Sequence, residues 1–216
     1  MFAVFPSWDR HWSRWQGILL IIPHIARLKS LIIKMNSLPS GLLEPLCVNA
    51  PLLEKVDIVL SVRNELILDS ELFNRDLSSL HELCLHHLGT HFPWENLANL
   101  QVIDIRSHCH TYWTTQILNL LEFAPLLHMV FLGYMNIITD SFNIPPEQMV
   151  HLHHLKVFNI NTNEPQSTLL HHFHIPFRAS LTSDSYFWGE KSPLQDYKIS
   201  QFQKPLISPQ AISSLI

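Results

Sequence analysis

"LLEPLCVNAPLLEKVDI" (residues 42–58) and "QILNLLEFAPLLHMVFL" (residues 116–132) lie 74 positions apart and share Ala-Pro-Leu-Leu. In each, apolar residues fall at i, i+3, i+4 and i+7: Leu43, Leu46, Cys47 and Ala50 in the first, Ile117, Leu120, Leu121 and Ala124 in the second. With 3.6 residues per turn, that spacing lines one face of a helix. The proline after each alanine lacks an N–H and stops the helix. A short strand should follow, with Leu53, Val56 and Ile58 inward in one copy and Leu127, Val130 and Leu132 in the other.

The motif extends outward as apolar-x-x-Leu-x-x-apolar-x-apolar. It recurs at Ile25/Leu28/Leu31/Ile33, Ala50/Leu53/Val56/Ile58, Leu77/Leu80/Leu83/Leu85, Leu97/Leu100/Ile103/Ile105, Ala124/Leu127/Val130/Leu132 and Leu152/Leu155/Phe158/Ile160. The second position is leucine every time, at intervals of 25, 27, 20, 27 and 28 residues. A period of about 20–29 residues with Leu-x-x-Leu-x-Leu is the signature of a leucine-rich repeat. A further strand is expected earlier, at "RWQGILLIIP" (14–23) with Ile18, Leu20 and Ile22 inward, and a weaker one near "LLHHFHIPF" (169–177).

One strand and one helix cannot bury their apolar faces alone, so such units stack. The expected fold is a right-handed α/β leucine-rich-repeat solenoid, with a parallel β-sheet on its concave face and irregular helices on its convex face. Three regions are expected: a lead-in or cap over 1–14, irregular repeats over 15–180, and a C-terminal cap and tail over 181–216. In the last, Phe187 and Trp188 would pack on the final repeat.

Composition narrows the function. Apolar residues make up 47 % of the chain and charged ones only 15 %, against about 25 % charged in an average protein. So thin a polar skin suggests that some of the surface is covered by something else. A net charge of −4 supplies no basic footprint for nucleic acid. Three scattered cysteines, Cys47, Cys84 and Cys109, form no disulfide framework or metal knuckle and suggest a reducing, intracellular location, cytoplasmic or nuclear. The N-terminal apolar run, Ile18–Ile22, is too short for a signal peptide or a membrane span.

Fifteen histidines invite a metal reading. In "HLHHL" (151–155), however, Leu152 and Leu155 are framed positions, which makes His153 and His154 the variable residues between them and leaves His151 before the frame. His108 and His110, His87 and His91, and His171, His172 and His174 are dispersed over several repeats without the regular spacing of a zinc site. No metal site and no cofactor are expected. Enzymatic motifs built on glycine, such as GxSxG, GxGxxG and the P-loop, are missing, as is HExxH. Asp57 and Asp104 read as surface acids rather than as a catalytic pair.

Side chains alternate along a strand, so the residues between the framed ones face outward. Strand centres are then Leu19, Ile32, Asp57, Cys84, Asp104, Phe131 and Asn159, flanked by Lys55 and Glu82 on one side and His86 and Arg106 on the other. With Tyr134, these residues mix charge and aromatic anchors, as binding surfaces do. Lys55, Asp57, Glu82, Cys84, His86, Asp104, Arg106, Phe131, Tyr134 and Asn159 are the expected partner-binding set.

The opening "SRWQGILLIIP", the "APLLEKVDI"-type units and the uneven repeats resemble the C-terminal half of F-box proteins abundant in mushroom-forming fungi, over roughly residues 12–180. That resemblance implies repeats that hold a protein substrate for a ubiquitin ligase, whose Skp-type adaptor docks on a separate helical F-box. Only about a dozen residues precede the first repeat and no "LPxE" opening is present, so no F-box residue is carried over and an adaptor would be reached only indirectly. The asparagine of a regular leucine-rich repeat occurs at Asn36 and Asn163, and is replaced by Ser61, Leu88, His108 and Met135 elsewhere. The expected function is a non-catalytic protein-interaction module. The alternatives are a histidine-based metal-binding or hydrolytic protein and an incomplete gene product with no independent role.

Overall fold

A computed structural model describes residues 2–5, 20–35, 44–60, 67–68, 73, 77–90, 96–107, 110–138, 149–162 and 167–185. In chain order the strands are β1 (Phe2–Phe5), β2 (Ser30–Met35), β3 (Lys55–Leu60), β4 (Ile67–Leu68), β5 (Glu82–His86), β6 (Gly89–Thr90), β7 (Val102–Arg106) and β8 (Thr111–Trp113). They are followed by helix α1 (Thr114–Glu122), β9 (Met129–Ile138), β10 (Val150–His151), β11 (Val157–Thr162), helix α2 (Ser167–Leu170), β12 (Phe173–His174) and β13 (Ser180–Ser185). The main sheet runs β1-β2-β3-β5-β7-β9-β11-β13, all parallel, with β8 paired to the far half of β9. Two small parallel pairs, β4-β6 and β10-β12, lie off this path. Successive parallel strands require a crossover each time, and the result is a solenoid-like stack with few helices.

The register matches the repeat read from sequence. Leu31, Val56, Leu83, Ile103, Val130 and Phe158 stand opposite one another across β2 to β11, and so do Ile33, Ile58, Leu85, Ile105, Leu132 and Ile160. Every framed residue is buried, and the six fixed leucines Leu28, Leu53, Leu80, Leu100, Leu127 and Leu155 join one core.

The backbone explains why that leucine is fixed. In all six repeats its N–H donates to the carbonyl of the first framed residue, three positions back, at 2.9–3.3 Å. The resulting turn directs both side chains inward and leaves the two residues between them outside. The following residue performs a second task. The carbonyl of Lys29 accepts from the N–H groups of both Glu54 and Lys55, and Glu54, His81, Gln101 and His128 each repeat the pattern toward the next turn. Only the main chain takes part, so side chains as different as Lys, Glu, His and Gln serve equally well.

Sequence expectations for two strands are corrected. The strand expected at 14–23 is not found in its described part: Ile22–Arg27 is a 3₁₀ turn with Pro23 at its start, and Leu20 is exposed rather than inward. Proline suits the first turn of a helix and disfavours a central strand. The first strand is instead Phe2–Phe5, paired to β2 one repeat length earlier and within the expected lead-in. The strand expected at 169–177 yields only the short β12, while the main sheet continues through β13.

The helices also differ between the two copies of the motif. Over 114–122 helix α1 forms, burying Ile117, Leu118, Leu120 and Leu121. The Trp113 N–H donates to the Gln116 side chain at its start, and the Thr114 hydroxyl donates to the Ile138 carbonyl. Over 44–50 only the 3₁₀ turn Glu44–Leu46 is present. Pro51 ends the stretch as Pro125 ends the other copy, and Leu46 and Ala50 are buried although no longer helix forms there. Leu88 and Met135, at two of the positions where a regular repeat has asparagine, are buried as well. Residues 187–188 lie outside the described residues.

Replacing Leu100 by Ala should cost about 2–5 kcal/mol through lost burial and an unfilled cavity. Leu126→Ala, at an outward position of the same turn type, should cost under about 0.5 kcal/mol. Thermal melts of the two variants beside wild type check the difference.

Candidate functional site

The outward face of the main sheet places nine of the ten expected residues as rows. Asp57, Cys84, Asp104, Phe131 and Asn159 are directly opposed across β3, β5, β7, β9 and β11, with Ile32 completing the row on β2. Lys55 and Glu82 face each other in the preceding row, and His86 and Arg106 in the following one. Burial alternates along β3, β5 and β7, so these side chains are partly exposed above a fully buried layer. Leu19 lies outside the described residues.

Tyr134 is the exception. The register between β9 and β11 shifts so that Asn161 faces Gly133 while Thr162 faces Met135, which leaves Tyr134 as the extra residue of a bulge. Its φ of 57° lies in the left-handed region, sparsely used by bulky residues. Alternation from Leu132 would point Tyr134 inward; as the extra residue of the bulge it is exposed, and Met135 takes the buried place. Bulges commonly re-aim a side chain in this way, but spacing alone carried no sign of this one.

Charges on the face neutralise one another. Lys55 donates a hydrogen bond to Glu82, which raises the lysine pKa despite its partial burial. Lys34 Nζ is 3.6 Å from Asp57. The best-defined group surrounds Asp104. Arg106 Nε and one terminal nitrogen donate to the two carboxylate oxygens at 2.8 Å each, a bidentate pairing that suits the planar guanidinium. His86 Nε2 is 3.2 Å from the same carboxylate but off the line of a hydrogen bond.

Burial pushes the Asp104 carboxyl up, but its contacts with His86 and Arg106 outweigh that and hold it below the usual carboxylate range. Gly133 makes room for the arginine. A Cβ there would lie 3.1 Å from Arg106 Cγ, so the arginine stem rests on bare backbone.

Cys84 shares the row with Asp57 and Asp104, which invites a Cys-His-Asp reading. Burial, reinforced by the two carboxylates, pushes the thiol up to about 11. A thiolate is the reactive form, so this environment disfavours a nucleophile at neutral pH. Neither Cys84 nor Cys47 is in a disulfide.

Among the described residues, histidines gather across β10 and β12, and the His128 and His154 rings lie 6.1 Å apart. His151 and His174 are opposed on β10 and β12, and the His153 ring lies near both. His110 packs edge-on against Tyr112, while His91 and His108 lie outside the described residues. Among the described residues, no three histidine, cysteine or acidic side chains stand ready as a metal centre. No described helix is long and apolar enough to cross a membrane. No family model, no curated protein and no solved structure matches the chain.

The Asp104 group gives a pH test. Because its pKa is lower when folded, the stability it contributes is complete above the unfolded carboxylate value of about 4 and is lost as pH falls through the folded value. Asp104→Asn should therefore lose stability at about pH 6, and its deficit against wild type should shrink toward about pH 3. Gly133→Ala, by displacing Arg106, should show the same trend more weakly. Denaturant midpoints measured across that range check both.

Proposed function

We propose that the chain is a non-catalytic protein-interaction module of the leucine-rich-repeat type, and that it serves as the substrate-recognition part of an F-box-type ubiquitin-ligase receptor. One observation carries the interaction reading: a single outward row sets Asp57, Cys84, Asp104, Phe131 and Asn159 side by side. The exposed Tyr134 stands at its carboxyl-end margin. Partly exposed aromatics beside a pre-formed arginine–carboxylate pair are the composition favoured at binding surfaces. A solenoid sheet offers such a row on a rigid backbone, so little order has to be gained on binding.

The non-catalytic reading is supported by the raised Cys84 pKa and by the engagement of Asp104 with Arg106. The ubiquitin-ligase role rests on resemblance in repeat style. Cysteines outside any disulfide at positions 47 and 84 agree with an intracellular, reducing location. The partner is a protein rather than nucleic acid or membrane, given the net charge of −4.

Affinity purification with mass spectrometry, comparing wild type with the Asp104→Lys/Phe131→Asp double mutant, tests the proposal. A specific partner recovered by wild type and lost in a folded mutant maps the site to this row. Adaptor and cullin among the recovered proteins would establish the ligase association. A partner retained at equal yield by the mutant would refute this face as the binding surface.

A further inference from the structure

Beyond Gly133 the outward side of β9 continues onto β8. The two strands set Thr111 opposite Asn136, Tyr112 opposite Ile137 and Trp113 opposite Ile138. Tyr112 and Ile137 are buried, which leaves the alternate residues on the outward side. There the Asn136 side-chain nitrogen donates to the Thr111 hydroxyl at 2.9 Å, and Trp113 and Ile138 are exposed as neighbours. The backbone beneath them is fixed, with the Trp113 N–H donating to the Gln116 side chain and the Thr114 hydroxyl to the Ile138 carbonyl. About 13 Å back along β9, Tyr134 is exposed at the bulge, close enough to Arg106 for its phenol to help raise the arginine pKa.

We propose that this face, with Trp113 and Ile138 at one end and Tyr134 at the other, binds a short extended segment of a partner protein that is uncharged and carries two large apolar side chains four residues apart. That role rests on the interaction reading of the chain but not on the row from Asp57 to Asn159. Trp113, Tyr134 and Ile138 are 46 %, 40 % and 37 % exposed, which amounts to roughly 300 Å² in all. A stable contact between two folded surfaces covers about 800 Å² on each, so the face is too small for a second copy of the chain and of a size for one strand of peptide. Residues i and i+4 of an extended segment point the same way and lie about 13 Å apart, the span from Tyr134 to Ile138.

None of Thr111, Trp113, Tyr134, Asn136 and Ile138 carries a charge, and the neighbouring Arg106 is already paired with Asp104. A charged segment would therefore lose hydration there without gaining a counter-ion. Tryptophan and tyrosine are enriched among the residues that dominate binding. The left-handed φ of Tyr134 is a local cost that exposes its ring instead of burying it, and such strain clusters at functional sites.

Random peptides of about twelve residues displayed on phage are selected on the full chain. The enriched peptides are then titrated by calorimetry into wild type, Trp113→Ser, Ile138→Thr, Asp104→Lys and Leu52→Ser, the last at an exposed apolar residue elsewhere. They should be uncharged, with large apolar residues at i and i+4. Trp113→Ser and Ile138→Thr, with melting temperatures near that of wild type, should bind them at least about tenfold more weakly, and Leu52→Ser and Asp104→Lys as wild type does. Equal weakening by Leu52→Ser would mean general adhesion to apolar surface and would overturn the proposal, as would enrichment of charged peptides or of none. Weakening by Asp104→Lys alone would leave the row as a binding surface and remove this one, whereas the expected pattern stands even if the row binds nothing. Dimerisation of wild type in sedimentation that Trp113→Ser abolishes would put a second copy on the face and refute the peptide.

Discussion

Six successive repeats close on the same short hydrogen bond, from a leucine N–H to a carbonyl three residues earlier, and the rest of the stack is built on that geometry. The bond sends two apolar side chains into the interior and leaves the pair between them outside. The next carbonyl then receives two N–H groups from the following turn, so each repeat sets the position of its neighbour. A strand of five or six residues has little stability alone; here the strands from β2 to β11 in the main sheet are held by backbone on both sides and by apolar burial beneath.

That arrangement divides the chain's chemistry into two populations. Inward residues are apolar, fully buried and interchangeable in kind, as Val56, Leu83, Ile103 and Phe158 illustrate at one level of the sheet. Outward residues are released from packing, and their identities vary from Ile32 to Asp57, Cys84, Asp104 and Phe131 along one row. The charged members are satisfied internally before any partner arrives. Asp104 is the best example, held by Arg106, which in turn lies over Gly133. A surface prepared in this way presents shape and aromatic area with little desolvation of unpaired charge.

Much of the fold was legible because its signal is local and repeated. Leu28 to Leu155 could be placed in one interior row from spacing alone, since a turn followed by an alternating strand allows only one inward set. Legibility failed where the signal was weak or interrupted. Phe2–Phe5 is too short to show a period, and Ser180–Ser185 is a polar edge strand with Leu181 as its one aliphatic residue. Pro23 redirected an apolar run that resembled a strand, and over 44–50 a 3₁₀ turn stands where apolar spacing alone suggested a helix.

The sequence by itself determined which side chains are inside, because alternation along a strand and the spacing of the turn are properties of a single stretch of chain. Which outward residues meet one another was decided only by the tertiary structure. Tyr134 is turned outward because β9 carries one extra residue against β11, and His151 meets His174 because the β10 and β12 segments happen to pair. Both depend on the length of chain between neighbouring turns, which varies freely without disturbing the buried repeat. Core membership is therefore written within each repeat, whereas surface neighbourhoods arise between repeats.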